Sequence, residues 1–215
     1  MATVHIVKQG EHVTRIARRY GFINFLTIWD DPQNAEIKKL RKNPNVLFPG
    51  DRLFIPEKQG KKITRATGQL HHFKISATQL MLRIVVQNYS RKPVAGTNCK
   101  LEVEGKPTPF VTDSKGQIEQ LIPPNAEVGK LDILDKEFAI LIGHLDPVEE
   151  SSGQEARLNN LGYYVPPADA ERDKDELRSS IEEFQRDYGL VKPGGHPSGL
   201  ADDATRAKLL EAHGC

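Results

Sequence analysis

Residues 4–21 read VHIVKQGEHVTRIARRYG and residues 43–56 read NPNVLFPGDRLFIP, and these two segments decide the fold of the N-terminal quarter. The β-branched run at residues 5–7 predicts a short strand, and Gln9-Gly10 predicts a turn. The first segment then carries apolar residues at spacings i, i+3, i+4 and i+7, which is one stripe of a helix: Val13, Ile16, Ala17 and Tyr20.

The second half of this region predicts a helix followed by a strand, the reverse of the order in the first half. Gly21 stands where a glycine ends a helix. A second helical stripe follows, formed by Phe25, Ile28 and Trp29. We predict Trp29 as a core residue. Pro49-Gly50 predicts a turn, and the apolar run before Pro56 predicts a closing strand. The expected order is strand, helix, helix, strand.

This region resembles the LysM family, a small βααβ fold that binds glycans containing N-acetylglucosamine. The resemblance is carried by Gly10-Glu11-His12 and by the element Asn43-Pro44 to Pro49-Gly50. It implies a shallow glycan groove between two loops, with these contacts: Gly10, Glu11, His12, Val13, Asn45, Val46 and Leu47. His12 replaces the usual small hydroxyl residue, and DDPQNAEIKKLRK lengthens the connection to the last strand. The alternative is a LysM fold used only for docking to proteins.

The middle of the chain changes to a β pattern. Short alternating or β-branched runs predict six or seven strands and hence a small β-sandwich: FKI, LMLRIVVQN, CKLEVEG, the two arms of FVTDSKGQIEQLIP, AEVGKLDIL and FAILIGHL. The Asp-Ser-Lys-Gly turn predicts a hairpin between its two arms. Residues 91–134 resemble immunoglobulin-like or prealbumin-like repeats of secreted and injection-system proteins.

The last third carries a helical pattern. Ser152 and Glu155 predict a capping box, and either Asp202 or Asp203 predicts the start of the last helix. LNNLGY, IEEFQRDYGL and ADDATRAKL resemble anchors of the three-helix peptidoglycan-binding domain, although PPADAERDKDE replaces its usual first glycine-rich turn. The resemblance implies a second wall-binding site, with these contacts: Tyr163, Tyr164, Gln185, Tyr188 and Thr205. Of these, Tyr163 and Tyr164 are expected on an exposed face. Phe184 is predicted as core.

We therefore predict a multidomain α+β protein. Its parts are a βααβ LysM head, a linker, an all-β sandwich and a peptidoglycan-binding-like three-helix tail: residues 1–57, 58–69, 70–146 and 147–215. The 38% hydrophobic and 27% charged content is typical of a globular protein. Two cysteines make no disulfide framework. Cys99 is expected to be a buried thiol, and a bridge to Cys215 stays open.

The formal net charge of +1 conceals a gradient along the chain. Residues 1–65 hold 13 Lys/Arg against 6 Asp/Glu, and residues 146–215 hold 8 against 15, so the two ends differ in sign. The ends could attract each other, or they could be surfaces of unrelated modules. Because the basic residues do not interleave with aromatic residues, we expect no nucleic-acid partner.

No catalytic, metal or cofactor site is predicted. The seven histidines form no HExxH pair. His71 and His72 are adjacent and would point to opposite faces of a strand, and the other five have no Cys or Asp neighbours at ligand spacing. A lysozyme-like carboxylate pair needs a deep cleft between sizeable lobes, and each predicted module is too small to house one. We expect a protein without enzymatic activity.

The leading hypothesis is a non-catalytic peptidoglycan-binding protein of bacteria. Residues 1–10 lack the features of a secretory signal, and no apolar run approaches the ~20 residues that span a bilayer. Residues 21–58, joined to such a β-domain and tail, resemble small proteins of contractile injection machines, including type VI secretion. We therefore expect cytoplasmic synthesis, no membrane insertion and delivery by such a machine. The alternatives are an adaptor that docks to spike or baseplate proteins, and an effector with cryptic hydrolase activity.

Overall fold

A computed structural model describes residues 1–58, 60, 64–72, 80–166 and 174–214. The chain forms two compact units, residues 1–144 and residues 145–215. The chain is mixed α/β, with antiparallel sheets in the first unit and helices in the second. Within the described ranges, every helix is too short or too polar to cross a membrane.

The head of the first unit, residues 1–56, pairs its two ends in a small antiparallel sheet. Its elements are β1 (Thr3–Ile6), α1 (Val13–Arg19), α2 (Leu26–Trp29), a 3-10 turn (Pro32–Asn34), α3 (Ala35–Arg41) and β2 (Arg52–Ile55). The register runs from Thr3 opposite Ile55 to Ile6 opposite Arg52. The order contains the predicted strand, helix, helix and strand. The long connection adds the 3-10 turn and α3.

Helix α1 ends as its sequence predicts. Gly21 has a φ of +76°, and its N–H donates to the Arg18 carbonyl while the Phe22 N–H donates to the Ala17 carbonyl. This is a Schellman arrangement, which needs the left-handed conformation that glycine adopts without strain. The chain can therefore reverse here and pack Phe22 and the buried Trp29 into the head core, so the prediction for Trp29 is confirmed.

Asn34 closes the outer edge of the head. Its side chain is 1% exposed, and its amide donates to the carbonyls of Ile28 and Phe54, both at 2.8 Å. Its carbonyl oxygen accepts from the Phe54 N–H, also at 2.8 Å. Asn34 thus satisfies the backbone groups of β2 that β1 does not reach.

The β-domain follows in the same unit, with two sheets around one core. Its strands are β3 (Leu80–Val85), β4 (Asn98–Val103), β5 (Lys106–Val111), β6 (Gln117–Ile122), β7 (Val128–Ile133) and β8 (Lys136–Leu141). One sheet pairs β3 with β6, and the other has the order β5-β4-β7-β8. Leu101, Ile118 and Leu131 belong to the shared core. The strand predicted at FKI lies outside the described residues.

The predicted hairpin around Asp-Ser-Lys-Gly is wrong. Strand β5 pairs with β4, whereas β6 pairs with β3 in the other sheet. The turn itself is tight, because the Gly116 N–H donates to the Asp113 carbonyl at 3.0 Å, but the chain crosses between sheets. The true hairpins have two-residue turns with both φ values positive, at Glu104-Gly105 and Leu134-Asp135.

The second unit contains α4 (Ser151–Asn160), α5 (Lys174–Asp187) and α6 (Asp203–His213) around one core. Phe184 is fully buried, so its prediction as core is confirmed. The expected capping box at Ser152 is wrong, because α4 already begins at Ser151 and the Ser152 hydroxyl donates to the Asp146 carboxylate. Asp202 caps α6 by accepting from the Thr205 N–H at 2.8 Å.

Candidate functional site

The residues predicted to contact a glycan in the head do lie together, but most of them are covered. Gly10, Glu11, His12, Val13, Val46 and Leu47 are buried, and Asn45 is exposed. The two loops meet where the Val13 N–H donates to the Pro44 carbonyl at 2.9 Å. Their role in glycan binding stays a prediction.

The β-domain covers the first of these loops. A methyl group placed on Gly143 would lie 2.9 Å from the Gly10 carbonyl oxygen, and one placed on Gly10 would lie 3.0 Å from the His144 ring. The Gln9 side-chain amide donates to the His144 carbonyl at 3.2 Å. We call this contact between residues 9–15 and residues 124–144 the seam.

Charged groups also cross the seam. Arg15 forms an ion pair with Glu127, and its guanidinium also donates to the Gly10 carbonyl at 3.2 Å. Glu127 and Val128 donate their backbone N–H groups to the Glu104 carboxylate. These hydrogen bonds lower the pKa of Glu104, so the carboxylate facing this side stays ionised at neutral pH.

His12 caps α1 from inside the seam. Its Nδ1 accepts from the Arg15 N–H at 3.4 Å, and the side chain is 3% exposed. Its Nε2 has no partner in hydrogen-bonding geometry among the described residues. Burial and, next, the Arg15 charge lower the pKa of His12 to about 4, against smaller opposing effects of the Glu11 carboxylate and the Pro124 carbonyl. The imidazole is therefore neutral at pH 7.

Glu11 is fully occupied by the fold of the head. Its carboxylate accepts from His5 Nε2 at 2.7 Å and from the Lys8 N–H at 3.0 Å, and it pairs with Arg19. Burial alone would raise the pKa of Glu11, but the His5 hydrogen bond and these neighbours lower it overall. A ligand would have to displace these donors to reach the carboxylate.

The second unit has an open cleft of about 280 Å³. The end of α5, the loop before α6 and the first turn of α6 form its walls: Gln185, Leu190, Val191, Lys192, Gly195, His196, Pro197, Ser198, Asp202, Ala204 and Thr205. Two of the five predicted wall-binding residues, Gln185 and Thr205, are therefore brought together here.

Gln185 holds the loop that lines the cleft through side-chain hydrogen bonds. Its side-chain amide donates to Ser198 Oγ at 3.0 Å, to the Leu200 carbonyl at 2.9 Å and to Thr205 Oγ1 at 2.9 Å. Its oxygen accepts from the Gly199 N–H at 3.1 Å. Because Gln185 is 3% exposed and Thr205 is 1% exposed, both position the loop, and other residues present the accessible surface.

The three predicted tyrosines lie elsewhere. Tyr163 is 1% exposed, and its hydroxyl donates to Asp187 at 3.0 Å, so the expectation of an exposed Tyr163 is wrong. Tyr163 sits edge-on to Phe184, which explains its burial. Tyr164 is 75% exposed. Tyr188 is half-buried, with its ring against Phe184 and the Lys208 ammonium above it.

Several cleft residues were not predicted from the sequence. Lys192 and His196 are exposed on one wall, and Asp202 and Ala204 are exposed on the other. The hydrogen bonds from Thr205 lower the pKa of Asp202, so the cleft has both signs of charge at neutral pH. The sequence feature that could have indicated these residues is the Pro-Gly-Gly loop between two helices, because such loops often present binding residues.

Comparison with known families matches the same part of the chain. Residues 155–209 match the family model described as putative peptidoglycan binding domain. The C-terminal module is peptidoglycan-binding-like. The match contains most of α4, all of α5 and the first two turns of α6, and therefore both walls of the cleft. No curated protein and no solved structure matches the chain.

The described residues offer no metal centre. Within them, no group of three or more His, Cys, Asp or Glu side chains is placed to hold a metal ion. Cys99 is buried, and burial raises the pKa of its thiol, which disfavours the nucleophilic thiolate. Cys215 lies outside the described residues. The expectation of a non-enzymatic protein without a metal or cofactor stays a prediction.

Proposed function

We propose that this chain is a non-catalytic peptidoglycan-binding protein that uses the cleft of its C-terminal module. The family match over residues 155–209 carries the proposal, because it covers the segment that builds the cleft. The cleft is open and presents exposed Lys192, His196 and Asp202 beside apolar walls. Such a surface suits peptidoglycan, which combines charged stem peptides with sugar faces.

Cosedimentation of the full chain with purified sacculi tests this proposal. Ala204 is exposed on a cleft wall, and Ala207 is exposed on the same helix outside the cleft. Ala204→Leu should fill the cleft and reduce the sedimented fraction, whereas Ala207→Leu should leave it unchanged. A wild-type protein that is folded by circular dichroism and stays in the supernatant would contradict the proposal.

The head has a separate place in this proposal. Binding of N-acetylglucosamine glycans by its two loops, as the LysM resemblance implies, requires Gly10–Val13 to be accessible. Gly10 instead packs against Gly143 and His144, and His12 lies against Gly143. This cover favours the alternative, in which the head serves protein contacts. We keep glycan binding by the head as the finer proposal for an opened form.

The second candidate function is a docking component of a contractile injection machine that does not bind glycan. It is favoured by the covered loop of the head and by the resemblance of residues 21–58. This candidate expects the protein to copurify with spike or tube components from an active strain. Recovery in the free fractions of every gradient would count against it, and cleared zones in a gel containing purified wall would favour the hydrolase alternative.

A further inference from the structure

We propose that the seam between the head and the β-domain is acid-sensitive, closed at neutral pH and opened when His12 is protonated. The seam joins residues that are distant in the sequence. Arg15 and Glu127 form its ion pair, and Gly10 packs against Gly143 and His144. His12 lies inside this contact with both ring nitrogens enclosed.

The hydrogen bonding of His12 requires a neutral ring. Nδ1 accepts the Arg15 N–H, so the ring proton must be on Nε2. Adding a second proton would put two donors face to face at the start of α1 and remove the cap. It would also place a positive charge beside the Arg15 guanidinium in a site with little access to water.

The charged groups around the ring act in two directions. Glu11 lies next to His12 and favours its charged form, but its carboxylate is already bonded to His5, Lys8 and Arg19. On the β-domain side, Glu127 and Glu104 balance Arg15, and His144 lies against Gly10.

The sign of the effect follows from linkage. The closed form holds the pKa of His12 at about 4, below the ordinary value of about 6.5 expected when the seam is open. The open form therefore binds the extra proton first, and closure weakens as pH falls from about 6.5 towards 4. Between pH 7 and pH 4 the opening equilibrium should rise on the order of 100-fold.

Amide hydrogen exchange on the full chain, corrected for the intrinsic pH dependence, tests this inference. Between pH 7 and pH 4, protection should fall on both sides of the seam, at residues 12–16 and at Glu127 and Val128. The amides of Leu101 and Leu131, in the core of the β-domain, should keep theirs. His12→Asn retains a capping side chain that cannot be charged and should keep the seam closed. His72→Asn, at an exposed position, should behave as wild type.

Three results would overturn the proposal. Protection of the seam could stay constant down to pH 4, or it could fall only on the head side, which is fraying of α1. His12→Asn could also open like wild type. Should His12→Asn fail to fold, the imidazole of His12 is titrated in wild type by NMR. Its midpoint must coincide with the loss of protection, and a separate midpoint contradicts the inference.

Discussion

Each of the two units contains a buried amide side chain that ties neighbouring segments of that unit together. Asn34 ties the 3-10 turn to β2 in the head, and Gln185 ties α5 to the loop before α6 in the C-terminal module. Each uses both its donor and its acceptor to bond backbone groups of neighbouring segments. A buried backbone group without a hydrogen-bond partner lowers the stability of the fold, so such amides contribute more to the free energy of unfolding than their size suggests.

The head should be sensitive to the loss of Asn34. Asn34→Ala removes the partner of the Phe54 N–H and carbonyl, and one of the donors to the Ile28 carbonyl, which also accepts from the Asp31 N–H. We expect a loss of about 3 kcal/mol in the free energy of unfolding, measured by urea denaturation monitored by Trp29 fluorescence. Gln33→Ala, an exposed neighbour, should change it by less than about 0.5 kcal/mol. Equal effects of the two substitutions would contradict this role.

At the scale of elements, helix ends were predictable because their signals are local. Gly21 ends α1 in the left-handed conformation, and Asp202 begins α6 through a hydrogen bond to Thr205. The Asp-Ser-Lys-Gly turn misled prediction because a tight turn fixes the local chain direction but not the strand that each arm pairs with. The start of α4 also differed from the predicted capping box. Ser152 lies inside the helix, and its hydroxyl donates to the carboxylate of Asp146, which precedes the helix.

The cap of α6 gives a test at this scale. Asp202→Ala should lower the free energy of unfolding of the C-terminal module by about 1 kcal/mol, followed by thermal denaturation. The Asp202 carboxylate has a lowered pKa in the folded state. Its stabilisation is therefore present above the ordinary aspartate pKa and is lost as pH falls through the folded value.

The matched control for the cap is the next residue. Asp203 is fully exposed and pairs only one turn along the helix, with Arg206. Asp203→Ala should cost less than Asp202→Ala at pH 7, and the difference between the two should shrink in acid. A larger cost for Asp203→Ala would show that Asp203, and not Asp202, caps the helix.

At the scale of the whole molecule, the two candidate sites differ in how far the sequence could predict them. The C-terminal cleft is built by residues close in sequence, from Gln185 to Thr205, and these two residues were among those predicted from local motifs. The seam depends on Arg15 meeting Glu127, 112 positions away. No local sequence pattern predicts a contact over that separation. The loop of the head was therefore predicted, but its contact with the β-domain was not.

The central claim is that the cleft of the C-terminal module binds peptidoglycan. Isothermal titration of the full chain with soluble peptidoglycan fragments, at neutral pH, tests it most directly. We expect Ala204→Leu to weaken binding at least about tenfold, which is about 1.4 kcal/mol, while Ala207→Leu binds as wild type does. Equal affinities of wild type and both variants, or no binding by any of them, would contradict the claim.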